Sequence, residues 1–152
     1  MATAERVPVS RDSHGEPHIR AATAAGAMYG LAQAQMEDQG AYILGGIASA
    51  NGRSAELSGP ECLPKCFVSD QTIRLLKIPE TALGNFSNLP PDVQGRLRAF
   101  TQGINDYIGD YPHLLPVWAR TVTPEEVLAS ISYPFLMGQL TKAVGGATDF
   151  ES

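Results

Sequence analysis

Few residues of this chain are of a type that could carry chemistry: two cysteines, three histidines, the adjacent acidic pair Glu37-Asp38 within an apolar stretch, and scattered serines. The cysteines sit in Cys62-Leu63-Pro64-Lys65-Cys66. A zinc site takes about four ligands, and no second Cys or His pair lies at a matching spacing. Pro64 imposes a turn that could close a local disulfide, but two unpaired loop thiols are the simplest expectation. His14 and His18 are four apart, yet Gly15 and Pro17 between them exclude the helix that would put both on one face. No Gly-x-Ser-x-Gly elbow marks a nucleophilic serine. The glycine pairs Gly45-Gly46 and Gly145-Gly146 lack the spacing and the Lys-Ser/Thr ending of a phosphate loop. Glu37 and Asp38 would diverge by about 100° on a helix, so they do not form a facing dyad. One of them is expected to pair with a buried arginine, Arg53 being the candidate, and Asn105 is expected to serve as a buried hydrogen-bonding residue. The residues therefore offer no catalytic group, metal site or cofactor loop within this chain.

The elements that would hold these residues are mostly helical. Alternation around Val7 and Val9, a turn at Gly15 and a short piece at His18 to Arg20 predict a hairpin. Thr23 is placed to cap a long helix from Ala24 to about Ala50, with Met28, Leu31, Ala32, Met36, Tyr42, Ile43 and Ile47 at helical spacing and Asn51-Gly52 as the stop. Its glycines 26, 30, 40, 45 and 46 signal another backbone packed close. Ser69 or Asp70 is expected to cap a short helix carrying Ile73, Leu75, Leu76 and Ile78 and ended by Pro79. Leu89-Pro90-Pro91-Asp92 opens a helix with an apolar stripe of Val93, Leu97, Phe100, Ile104, Tyr107 and Ile108, opposite Gln94, Arg98 and Asn105. Tyr111 to Trp118 reads as a connector. Thr123-Pro124-Glu125-Glu126 then supplies a cap, a proline at the first helical position and a capping-box Glu. Pro134 should kink or split that last helix, whose second half, Phe135 to Val144, is nearly all apolar until Gly145-Gly146.

At 152 residues and 16.2 kDa, the chain can bury roughly 70% of its unfolded surface. Hydrophobic residues make up 43% and charged ones 18%, against about 25% charged in soluble domains, which suggests that part of the surface faces another chain. A net charge of −5 without a Lys/Arg run argues against nucleic acid as a partner. The longest apolar run, Ile131 to Leu140, is interrupted and falls short of the roughly 18 residues of a membrane span, so no membrane partner is expected. The start, Met-Ala-Thr-Ala-Glu-Arg, lacks the apolar core of a secretory signal. That fits a cytoplasmic protein, or a periplasmic or secreted one numbered after signal removal. A lone hairpin is only marginally stable, so its strands are expected to extend a sheet supplied by another polypeptide.

Several segments in order resemble the α chain of the penicillin acylase family of N-terminal nucleophile (Ntn) hydrolases, nearest the acyl-homoserine lactone acylase and aculeacin acylase branch. Arg11-Asp12-Ser13-His14-Gly15-Glu16-Pro17-His18-Ile19 is similar to the family's opening element. Tyr29-Gly30-Leu31-Ala32-Gln33-Ala34-Gln35-Met36-Glu37-Asp38, followed by Asn51-Gly52-Arg53-Ser54-Ala55-Glu56, resembles its first helix and the element that ends it. Phe100-Thr101-Gln102-Gly103-Ile104-Asn105 is similar to its "aromatic, two residues, Gly, apolar, Asn" helix. Trp118 and Thr123-Pro124-Glu125-Glu126 resemble the start of its last α-chain helix. The Cys62 to Cys66 loop and Glu126, where the family often has Asp, depart from the pattern.

The resemblance implies an α+β fold in which residues 1–152 form a single α subunit, mostly helical, whose N-terminal strands complete the four-layer αββα sheet of a larger β chain cut from the same precursor. It implies that no catalytic residue lies in this chain. The nucleophile is the β chain's N-terminal residue, usually Ser, with its own α-amine as base, and the oxyanion donors are on that chain too. Ser152 is rejected as nucleophile because it has no free α-amine. The substrate implied is an N-acylated small molecule or peptide, with Phe135, Leu136, Met137 and Leu140 suited to contact an apolar acyl group, although ordinary core is the simpler expectation for each of them singly. Asp149 or Glu151 could meet a calcium that some members hold, but neither aligns, so no metal or other cofactor is assigned. Two other functions stay open: transfer of the acyl group to an amine, and a non-catalytic helical interaction module.

Overall fold

The computed structural model describes residues 6–148. Its element order is a hairpin of β1 (Val9–Arg11) and β2 (Pro17–Ile19), then α1 (Ala24–Ala50), α2 (Ser54–Ser58), α3 (Lys65–Leu75), α4 (Ile78–Phe86), α5 (Pro91–Asp110) and α6 (Pro124–Thr148). Short 3-10 turns at Gly59–Cys62 and Pro112–Leu114 join them. The fold is thus mostly helical with two short strands, as expected. The strands pair antiparallel, Val9 opposite Ile19 and Arg11 opposite Pro17. Gly15 takes the left-handed φ of 83° that the turn needs.

α1 and α5 form the centre. Thr23 caps α1, its hydroxyl accepting from Gly26 N at 3.0 Å, and Ala32, Met36, Leu44 and Ile47 of α1 meet Leu97, Ile104 and Tyr107 of α5 in the main core. The approach is closest at Gly103, where an added Cβ would lie 2.7 Å from the Tyr29 carbonyl oxygen and 2.8 Å from the Ala32 Cβ. Gln33 Nε2 donates to the Gly103 carbonyl at 2.6 Å across the same contact. Gly26, Gly30 and Gly40 of α1 are likewise covered, by Val7, Ile19 and Leu115. At Gln39, beside Gly40, the backbone leaves helical geometry (φ −146°, ψ 34°), so α1 is kinked.

The middle of the chain departs from expectation. Neither Ser69 nor Asp70 caps a helix start of its own: α3 begins earlier, at Lys65. The nearly buried Asp70 carboxylate instead accepts from Ser54 N at 2.7 Å and Ala55 N at 2.9 Å, capping α2 from sixteen residues away. Pro79 does not stop a helix but sits in the first turn of one, α4, where its missing N–H costs nothing. Leu75 and Leu76, expected on an apolar face, are exposed, while Ile73, Ile78 and Ala82 pack with Ala129 of α6 in a second cluster. The cysteines are also not free thiols. Cys62 and Cys66 are joined in a disulfide, their Cα atoms 5.5 Å apart.

The capping box forms as read: Thr123 N donates to the Glu126 carboxylate at 2.9 Å, and Glu126 N to Thr123 Oγ1 at 3.3 Å. α6 neither splits at Pro134 nor ends at Gly145-Gly146; it runs to Thr148 with Pro134 inside. No helix among the described residues is long and apolar enough to cross a membrane.

Because backbone atoms surround Gly103, neighbouring side chains cannot swing away from an added methyl. Gly103→Ala is expected to lower unfolding free energy by about 1–3 kcal/mol, read as a lower urea midpoint.

Candidate functional site

The start of α6 is fixed by two asparagines. Asn105 on α5 treats Val122 as a strand partner would: its Nδ2 donates to the Val122 carbonyl at 2.9 Å, and its Oδ1 accepts from Val122 N at 2.8 Å. Asn51, just past α1, donates to the carbonyls of Ile47 at 2.7 Å and Glu126 at 3.1 Å. The role expected of Asn105 is therefore the one observed, although it faces inward rather than with the solvent side of α5. Glu126 also accepts from Arg120 and lies 3.7 Å from Arg53.

So placed, α6 walls an open apolar groove of about 560 Å³ with α1 and α5. Ile43, Gly46 and Ile47 form the α1 wall, Leu97 and Phe100 the α5 floor, and Val127, Ile131 and Pro134 the α6 wall. Tyr42 and Ile131 stand on its rim, 79% and 60% exposed. Of the residues expected to meet an acyl group, none lines this groove; they follow it along α6. Phe135 is 69% exposed and Leu136 38% exposed, Met137 is half-buried, and the Leu140 side chain lies outside the described residues. A core role for Phe135 and Leu136 within this chain is thereby removed. Asp149, Glu151 and Ser152 also lie outside them.

The polar clusters hold structure together. Arg11 at the end of β1 bonds Glu37 at 2.8 Å and Asp38 at 2.7 Å. Arg53 is not their partner; it pairs with Glu56. The Glu37 bond, and after it the Asp38 bond, push the Arg11 pKa still higher, and Arg53 holds the Glu56 carboxyl below its usual range. At the hairpin turn the Asp12 carboxylate accepts from the backbone N–H groups of Glu16 and His14, which lowers its pKa. Ser13 Oγ lies 3.4 Å from His14 Nδ1, and Asp12 approaches that same nitrogen at 4.0 Å. A proton relay needs the two on opposite ring nitrogens, so this exposed trio is no catalytic triad. Among the described residues no three or more His, Cys, Asp or Glu side chains are disposed to hold a metal ion.

Near the start of α1, Tyr29 is buried and its hydroxyl donates to Asp106 at 2.9 Å. Arg6 lies 3.7 Å from the same carboxylate.

A family model described as penicillin amidase matches residues 6–149. The chain belongs to the penicillin amidase family, and what it resembles there is the α chain. It is 24% identical over 157 residues to the acyl-homoserine lactone acylase PvdQ of Pseudomonas savastanoi pv. phaseolicola, covering 95% of this chain and 20% of that protein. It is 26% identical over 114 residues to the acyl-homoserine lactone acylase QuiP of Pseudomonas aeruginosa, covering 75% of this chain and 13% of that one. The chain thus spans about a fifth or less of the length of these curated relatives. Among solved structures, the thermostable penicillin G acylase from Alcaligenes faecalis superposes with a TM-score of 0.72 at 25% identity, covering 82% of this chain and 69% of the matched one.

Burial, and then the bond to Asp106, push the Tyr29 pKa up to about 12. A phenol raised in the fold from about 10 stabilises it fully below pH 10, and that contribution is lost as pH rises toward 12. Tyr29→Phe should therefore cost about 1 kcal/mol near neutrality and show a shallower loss of stability between pH 10 and 12 than the parent, measured by urea unfolding across that range.

Proposed function

We propose that this chain is the α subunit, a single unit over residues 1–152, of an N-acyl amide hydrolase whose larger β chain comes from the same precursor. The observation that carries this reading is one of length. The same segment is about a fifth of the curated relatives, yet it matches 69% of a separate chain in the solved penicillin G acylase. A piece that is a fraction of one polypeptide and most of another fits a precursor cut in two.

The chemistry then lies on the β chain. Its N-terminal hydroxyl attacks the amide carbonyl, passing its proton through a water to the α-amine, which titrates near 8 and so is available as base. The tetrahedral oxyanion collapses, the amine leaves with that proton, and water hydrolyses the resulting ester. This chain needs to supply only shape. The β1–β2 hairpin, whose strands have no further partner among the described residues, would extend the sheet of the αββα sandwich. Phe135, Leu136, Met137 and Leu140, on the exposed continuation of α6, would contact the acyl group. The names of the relatives favour an N-acyl homoserine lactone or similar substrate with an apolar acyl chain.

Expression of the whole reading frame should yield two chains by mass spectrometry, the larger beginning with Ser, Thr or Cys. The pair should release free amine from N-acyl substrates with an alkaline-rising limb near pH 8. A single uncut, inactive chain would overturn the proposal. Within an active pair, Phe135→Ala should change the ratio of kcat/KM between long and short acyl chains by about tenfold while leaving the cut unaffected.

A further inference from the structure

The helix glycines of α1 differ in what covers them, Gly45 meeting only the Leu57 side chain at 3.9 Å. Those at 26, 30 and 40 each have a side chain of this chain within 3.2 Å of where a Cβ would stand. Gly46 has no heavy atom within 4 Å of that point and lies exposed in the groove wall. Glycine is the poorest helix former after proline, and its usual compensation, a close backbone approach, is missing for Gly46 inside this chain. The groove around it is walled by Ile43, Ile47, Leu97, Phe100 and Val127, with Ile131 and Tyr42 exposed on its rim. Phe135, one turn beyond Ile131 on the same helix face, extends the apolar strip outward.

We infer that this groove seats an apolar segment of the larger chain, packed close against Gly46. The inference rests on the two-chain reading above and adds which face of the α subunit the partner covers. Length outside this chain chooses the occupant. The relatives extend to about five times the span matched here, which provides several hundred residues from the same precursor at stoichiometric ratio. Nothing in the groove's lining is charged, so the segment that fits it is uncharged and apolar, held by shape and burial rather than by ion pairing.

Gly46→Leu in the full reading frame tests this, with Gly46→Ala as a milder step and Gly84→Leu as control. Gly84 is also an exposed helix glycine with nothing within 4 Å, on α4, outside the groove. In an open groove, leucine at 46 adds a good helix former, and Tm should hold or rise, as it should for Gly84→Leu. In a groove filled by the partner chain, Gly46→Leu should lower Tm by several degrees and raise the dissociation constant between the two chains at least tenfold. Gly46→Ala should fall between. Matching behaviour of Gly46→Leu and Gly84→Leu would overturn the inference. So would an unchanged Tm with altered kcat/KM for long acyl chains, which would assign the groove to substrate, or a halved assembly mass with intact subunit pairs, which would assign it to a second copy. If the protein stays one uncut chain, the two-chain reading fails. A fall in Tm confined to the Gly46 variants would still place a downstream segment of that chain in the groove.

Discussion

The close contact of α1 with α5 is the constraint on which the rest of the structure depends. At Gly103 the helices approach until there is no room for a single methyl group, and the Gln33 amide bonds the Gly103 carbonyl across the contact. That separation brings Ala32, Met36 and Ile47 into the same layer as Leu97 and Ile104, and it places Tyr29 beside Asp106. Interiors are close-packed and transmit small displacements. Widening this one contact would shift everything that rests on either helix.

α6 is held to that pair by polar atoms as well as by the burial of Val127 in the main core. Asn105 from α5 and Asn51 from the end of α1 hold Val122, just before the capping box that starts α6, and Glu126, the last residue of that box. The groove's third wall is therefore set at its root by hydrogen bonds to backbone groups together with the buried Val127.

Where local chemistry decides the structure, the residues announce it. Thr23, Thr123-Pro124-Glu125-Glu126 and the Gly15 turn are all found in their expected roles, because a cap or a turn involves atoms only a few residues apart. The stripe of α5 was equally readable, since a single buried face repeats every turn. The stretch between α1 and α5 was not, because its decisive contact spans sixteen residues: Asp70 caps α2 rather than its own helix. Pro79 misled for a related reason, as a proline that ends one helix and one that begins another look alike in sequence. The partner of Glu37 and Asp38 was missed because Arg11 reaches them only once the hairpin folds back on α1. The groove itself left only an indirect signal, an α1 apolar on more sides than its internal neighbours can cover.

The hairpin is only three residues wide on each strand, and the charge of Arg11 at its end is engaged by α1 rather than left along the edge. Long, flat, uncharged edges recruit other chains indiscriminately. An edge this short cannot template a stack of copies, yet a strand already brought near it by the same polypeptide could still pair with it. Brevity here works as protection against aggregation, and it favours pairing partners that arrive with high local concentration over those that arrive by collision.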